Sequence, residues 1–178
     1  MRLWKSILSL VACVALGACA RAPTALEVRS ASLQAGTFSA QVAWAPDASV
    51  LDALDHGIPF DLVVTLRAQA RGILGWRQTL AVQQRRLQLR YYPLSRKYQL
   101  LDVDLARSRT YATRSLALAA FEDLRLPLAA WGAPADGDFT VDIALDRSAL
   151  PGALRLAALL RPAWWLSSGE YAWRAPAA

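Results

Sequence analysis

Along much of the chain, apolar and polar residues alternate one by one. Phe38, Ala40, Val42 and Trp44 are separated by Ser39, Gln41 and Ala43. Phe60, Leu62, Val64, Leu66 and Ala68 follow the same rule, as do Phe139, Val141, Ile143 and Leu145. Successive side chains of an extended strand point to opposite faces, so a period of two sets one face in a core and the other in water. That is the mark of antiparallel sheet. Leucine and alanine would favour helix by propensity alone, and burial is expected to override them here. Ala35-Gly36 joins strands predicted over Leu26–Gln34 and Thr37–Trp44. Gly72 and Gly75 bound a joint between the Phe60 strand and one starting at Trp76, which predicts a hairpin. Between Leu80/Val82 and Leu87/Leu89/Tyr91 the apolar parity flips, and a bulge near residues 84–86 would absorb the change. Tyr92-Pro93-Leu94-Ser95 then turns the chain into a strand over residues 98–103.

Two short helices interrupt the strands. Ser49-Val50-Leu51-Asp52 has capping-box character, Val50, Leu51 and Leu54 form the sticky side, and Gly57 and Pro59 end the helix. A second helix is predicted over residues 115–124, burying Leu118, Phe121 and Leu124, with Pro127 as its stop. Between residues 150 and 173, Pro151 and Pro162 deny a long helix, and Leu154/Leu156 and Trp164/Leu166 read as short strands. The expected fold is mainly β: a single antiparallel β-sandwich-like domain over residues 26–174 with two short α-helices, after a cleaved signal peptide.

The leader is read from three features. Arg2 and Lys5 give a basic start, residues 7–16 are apolar except for Ser9, and Leu16-Gly17-Ala18-Cys19 follows. This is the layout of a secretory signal peptide, and its last four residues resemble a bacterial lipobox. Residues 1–18 are therefore expected to be a lipoprotein-type signal peptide, Cys19 the site of lipid attachment, and residues 19–25 an anchor and tether. Ordinary cleavage after Ala20 is the alternative, since Ala18-Cys19-Ala20 also fits a small-residue cleavage site. Two or three acyl chains would hold the protein firmly at a membrane, where one holds only marginally. Ala20 rather than aspartate after the cysteine favours the outer membrane over retention in the inner one. With Cys13 removed and Cys19 acylated, the mature chain would have no thiol and would rely on its core alone.

Composition narrows the function. At 178 residues, 55% hydrophobic and 19% charged, the chain can bury a full core, which excludes disorder. No apolar run reaches the roughly 18 to 20 residues of a spanning helix, which excludes a polytopic membrane protein. The formal charge is +6, and +4 once Arg2 and Lys5 leave with the leader. His56 is the only histidine and falls in the last turn of the first helix, where the helix dipole favours a cation. No G-x-S-x-G or comparable motif supplies a nucleophile, and nothing in the spacing activates Ser95, Ser167 or Ser168. The D-x-D pairs Asp102/Asp104 and Asp136/Asp138 lack the further ligands of a calcium loop. No metal, no cofactor and no catalytic residue are expected.

The densest chemistry lies in one basic, aromatic segment. Arg85, Arg86, Arg90, Arg96 and Lys97 cluster around Tyr91 and Tyr92. In the cytoplasm such a mixture would suit nucleic acid, but export argues against that partner. In the envelope the fitting anions are lipid phosphates or acidic groups of an envelope protein. A solvated strand face written in arginine is the plainer reading. Trp164, Trp165, Tyr171 and Trp173 crowd the C-terminus and are expected to close the core, and Trp44, Trp76 and Trp131 to be structural in the same way.

Residues 50–60, Val50-Leu51-Asp52-Ala53-Leu54-Asp55-His56-Gly57-Ile58-Pro59-Phe60, resemble the ALxxGIPL segment of a proteobacterial family of exported proteins, domain of unknown function 4390. Residues 86–98, from Arg86-Leu87 to Lys97-Tyr98, resemble that family's RLxYHxLTRQY block, with Tyr92 where histidine is frequent. Leu145-Asp146, Leu150-Pro151 and Trp164-x-Leu166-x-Ser168 are similar to its C-terminal motifs. The resemblance implies export and carries over no catalytic residue. Genes of this family often lie near that of a sensor histidine kinase. The reading of the whole is a non-enzymatic, lipidated envelope accessory or binding module of unassigned oligomeric state. Its alternatives are a periplasmic sensing partner of a two-component histidine kinase and a hydrolase using His56.

Overall fold

The computed structural model describes residues 25–71, 76–128, 131 and 137–175. The leader, Cys19 and the tether as far as Thr24 lie outside the described residues, as do Gly72, Gly75 and Asp136. In chain order the elements are β1 (Leu26–Gln34), β2 (Thr37–Trp44), α1 (Ala48–Asp55), β3 (Phe60–Arg71), β4 (Arg77–Tyr92), β5 (Lys97–Asp102), β6 (Arg107–Tyr111), α2 (Arg114–Glu122), β7 (Asp123–Pro127), β8 (Gly137–Leu145), α3 (Gly152–Leu160) and β9 (Tyr171–Ala175). Two single helical turns, Arg147–Ala149 and Pro162–Trp164, flank α3.

The strands form two antiparallel sheets: a smaller one ordered β1-β2-β7 and a larger one ordered β6-β5-β4-β3-β8-β9. Alternation aims Phe38, Ala40, Val42 and Trp44 inward from β2, and Phe60, Leu62, Val64 and Leu66 inward from β3, where all are buried. The sheets meet through Phe38 on Trp173, with ring centroids 5.8 Å apart, and α2 joins the core through Phe121, 5.0 Å from Trp44. Ala35 and Gly36 at the β1–β2 turn both have positive φ, 47° and 72°. Two such residues match the right-handed twist of the flanking strands, as in a type I′ hairpin.

Several expectations are corrected. A third helix, α3, occupies the segment read as short strands at Leu154/Leu156. Pro151 is its N-cap and Pro162 follows its end, so the two prolines bracket a nine-residue helix rather than preventing one. The second helix ends at Glu122, and Leu124 and Pro127 belong to β7, which continues straight from it. Asp47, not Ser49, caps α1 and accepts the Ser49 N–H at 2.8 Å. The irregularity in β4 falls at Leu80, where Ala68 pairs with Ala81 and Gln69 with Thr79. It therefore precedes residues 84–86, and Leu80 and Val82 end up exposed. Trp76 is exposed as well, at 77%, and Trp165 at 57%, so neither closes the core. The edge strand β6, written Arg-Ser-Arg-Thr-Tyr, carries no apolar alternation that would predict it.

One polar contact links the sheets from inside. Arg85 sits on the inner face of β4 opposite Val64 and is only 6% exposed. Its Nη2 donates to the Pro127 carbonyl of β7 at 2.9 Å and lies 3.5 Å from Asp102 Oδ2 of β5, while its Nε has no partner. Asp102 in turn accepts the Leu105 N–H at 3.1 Å. Removing one member of such a buried pair leaves an uncompensated charge and costs about 3 to 5 kcal/mol. Asp102→Ala should therefore lower the urea midpoint by that equivalent. Arg85→Met, which removes the charge and keeps the apolar stem, should cost less. Equal losses in the two variants would show that the ion pair is not what holds Arg85 inside.

Candidate functional site

The basic segment folds as the β4–β5 hairpin. Tyr91 faces Tyr98 and Tyr92 faces Lys97, with Pro93-Leu94-Ser95-Arg96 as the turn. Arg96 takes a positive φ of 51° to close it. Gly57, just after α1, has a φ of 83°, and a Cβ there would come 3.4 Å from the Tyr91 carbonyl oxygen, so glycine lets α1 approach the hairpin closely.

Because strand side chains alternate, the cluster seen in the sequence divides between two faces. Arg86, Arg90 and Tyr92 lie on the outer face, and Arg85 and Tyr91 on the inner one. Arg85 belongs to the interior and not to an exposed surface. On the outer face the Arg90 guanidinium stands 5.0 Å from the centroid of the Tyr92 ring, a cation–π contact, and the Tyr92 hydroxyl donates to Gln99 Oε1 at 3.0 Å. Arg86 donates its backbone N–H to Asp104 Oδ2 at 2.8 Å. Its guanidinium helps hold the Asp146 carboxyl below the usual carboxylate range, behind the larger effect of the Ser148 hydroxyl. Among the described residues no carboxylate lies within ion-pair distance of Arg90, Arg96 or Lys97.

The inner side of the hairpin opens into a groove of about 710 Å³ between α1, the start of α2 and the β4–β5 hairpin. Tyr91, Tyr98 and Tyr111 are successive neighbours across β4, β5 and β6. The first two rings stand 4.7 Å apart. The Tyr98 hydroxyl donates to Asp55 Oδ1 at 2.6 Å, and Asp55 Oδ2 is paired with Arg114 at the start of α2. Burial, then the hydrogen bond to Asp55, push the Tyr98 phenol up to about 12 against the pull of Arg114. Arg96 completes the rim. This groove can offer a guanidinium and aromatic walls to an anion, with Asp55 already committed to Tyr98 and Arg114.

Sequence reasoning missed Asp55, Tyr111 and Arg114. A four-residue turn over 93–96 forces the pairing of Tyr91 with Tyr98, so that contact was derivable from register. Asp55 and Arg114 are 59 residues apart and come together only through the packing of α1 and α2 on the sheet.

The other candidates have structural partners. His56 is the C-cap of α1, its side chain 72% exposed and its Nδ1 2.8 Å from the Asp52 carbonyl oxygen. Asp102 and Asp104 tie Arg85, Leu105 and the Arg86 backbone, and Asp138 pairs with Arg174 at 2.9 Å. The Ser168 hydroxyl accepts the Ile143 N–H at 2.9 Å, and Ser167 donates to Asp142 at 3.2 Å. Among the described residues no group of three or more His, Cys, Asp or Glu side chains could hold a metal ion. Nor is any helix among them long and apolar enough to cross a membrane.

Fold and hairpin together define a two-sheet β-sandwich domain with a basic, tyrosine-rich edge. The chain belongs to the family described as domain of unknown function 4390, whose family model matches residues 24–174. No curated protein and no solved structure matches it.

The Tyr98 environment yields a pH signature. A folded-state pKa of about 12 against an ordinary value of 10.0 means that folding favours the neutral phenol. The stability it contributes is complete below pH 10 and is lost as pH rises through about 12. Absorbance titration at high pH should show one late phenolate that disappears in Tyr98→Phe. A late phenolate that persists in that variant would assign the shift to another tyrosine.

Proposed function

We propose that this protein is an exported, lipidated and non-enzymatic binding module of the cell envelope, which holds an anionic partner on the β4–β5 hairpin. The observation that carries this reading is the set of exposed cations Arg90, Arg96 and Lys97, which form no ion pair with a carboxylate among the described residues and surround Tyr92. Such unpaired charge raises the local concentration of anions and steers their approach. Arginine offers carboxylate or phosphate two parallel N–H donors, and an exposed tyrosine adds an apolar face with a polar tip. Arg114 and the tyrosine row behind the turn extend the same chemistry into the groove.

Export and anchoring are supported by the basic start, the short apolar run and the lipobox-like Leu16-Gly17-Ala18-Cys19. On this reading Cys19 carries the acyl chains, residues 19–25 act as the tether, and the periplasmic side of the outer membrane is the preferred location. The partner then meets the hairpin in the envelope, either as acidic groups of a protein or as phosphates of a lipid.

Affinity purification of the full chain from intact envelopes tests both parts. Hydrogen bonds to charged groups are worth about 1.5 to 3 kcal/mol each. The double variant Arg90→Ala/Arg96→Ala should therefore lose partner recovery by about tenfold or more, with its thermal unfolding unchanged. Recovery from wild type should fall with added salt. Equal recovery of every envelope component by wild type and double variant would discard the hairpin as a contact surface. A mature N-terminus beginning at Arg21 without acyl mass would discard the lipid anchor.

A further inference from the structure

Helix α3 is apolar on two opposite sides. Ala158, fully buried, and the half-buried Leu154 seat it on the end of the sandwich. Its other side presents Leu156, Leu159 and Leu160, exposed by 67%, 57% and 77%. Trp165, itself 57% exposed, stands at the same end of the helix as Leu159 and Leu160. Its indole N–H donates to the Ala158 carbonyl at 3.1 Å, which fixes the exposed ring against the end of the helix. A helix apolar all round belongs in a core or in lipid, and large contiguous apolar patches on soluble domains mark binding surfaces.

The charges on α3 and the segments that flank it in the chain have one sign. Arg147, Arg155 and Arg161 are all exposed, and no acidic residue occurs between Arg147 and Gly169. Arg155 Nε donates to the Leu150 carbonyl at 2.7 Å, which keeps that guanidinium at the base of the helix. Leucines and a tryptophan bordered by arginines match the boundary between acyl chains and anionic headgroups. A second copy fits poorly, since a two-fold contact through this face would oppose like charges. At about 1.5 Å per residue the nine-residue helix is far too short to span a bilayer, so it would lie along the surface.

Position agrees with this. The described chain begins at Ala25, whose carbonyl accepts the Ala45 N–H at 2.8 Å just ahead of α1. Helix α1 packs against the Pro162–Trp164 turn that follows α3. The N-terminal entry, α1 and α3 thus gather at one end of the sandwich.

We propose that the outer face of α3, together with Trp165, is a membrane-contact surface that sinks into the headgroup boundary of an anionic phospholipid leaflet. It is distinct from the β4–β5 hairpin and does not require acylation of Cys19.

The test uses the full chain on vesicles of phosphatidylglycerol and phosphatidylethanolamine carrying brominated acyl chains, which quench tryptophan at short range. In a Trp4→Phe background, which removes the leader's indole, Trp165→Phe should remove most of the lipid-quenched emission, whereas Trp76→Phe, which alters the other highly exposed indole among the described residues, should leave it. Amide hydrogen exchange over residues 153–161 should slow on these vesicles, less so on purely zwitterionic ones, and return to the lipid-free rate in Leu156→Glu/Leu160→Glu. Both changes replace exposed side chains, and unaltered thermal unfolding would verify the fold. Arg90→Ala/Arg96→Ala should keep the quenching, so failure of the hairpin reading and failure of this one are separable. Quenching that survives Trp165→Phe, or exchange over 153–161 that ignores lipid, would overturn the proposal. So would protection that rises with protein concentration in the absence of vesicles, which would assign the face to a second copy.

Discussion

The unequal width of the two sheets governs the rest of the molecule. Six strands present an inner face that three strands cannot cover. The β1 strand lies over β8 and β9, and Arg85 ties β4 to the end of β7. The inner faces of β5 and β6 are left to α2, which packs on β2, β5 and β6 and runs directly into β7. One helix thereby completes the second layer of the sandwich. Its round cross-section cannot match a sheet edge, so open space remains on both sides of it. The groove at Tyr98 and Arg114 lies at one end of α2, and a cleft of about 360 Å³ bordered by Leu100, Leu105, Arg107 and Arg125 lies toward the other.

How much of this was legible in the sequence depended on whether burial followed hydrophobicity. Where it did, as in β1, β2, β3 and β8, alternation located the strands and the inward face. In β4 it did not. Gln83 and Arg85 point inward while Leu80 and Val82 point out, and the apparent parity change was displaced from its true position at Leu80. Hydropathy assigns arginine to water. It cannot register that Asp102 and the Pro127 carbonyl await this one inside. Helix α3 defeated the pattern differently. With leucine on both its buried and its exposed sides there is no polar stripe to reveal a period of 3.6. The arginine-rich β6 had no apolar stripe of any period.

The candidate surface was legible as a cluster and illegible as a shape. Counting arginines and tyrosines identified the segment, but alternation splits any strand cluster between two faces, and only the pairing register says which residues remain together. Arg90, Tyr92 and Lys97 stay on one side. Tyr91 turns to meet Tyr98 and, through it, Asp55 and Arg114. Those last two come from helices far away in the chain, brought in because the sheet they cover is wide. A constraint on layers thus decides the make-up of the groove.

The positive field at this edge is also a matter of geometry more than of count, since the net excess of basic residues is small. The fold commits its aspartates to local work. Asp47 caps α1 through Ser49, and Asp146 binds Ser148. Asp61 accepts from Gln88, Asp102 holds Arg85, and Asp104 receives the Arg86 N–H. Each carboxylate is fixed where a backbone end or a buried donor needs it, and none of these can swing out to neutralise Arg90, Arg96 or Lys97. Arg125 and Arg174 pair with Asp123 and Asp138, but other arginines on the strand and turn surfaces are under no such demand. Their charge is therefore left facing solvent, as at Arg90, Arg96 and Lys97 of the hairpin. The same division of labour holds around α3, where the nearest preceding acid in the chain, Asp146, is bound to Ser148 and the arginines that follow are exposed. A chain that ties its acids to nearby donors and leaves most of its arginines exposed acquires anion-seeking surfaces where its strands turn.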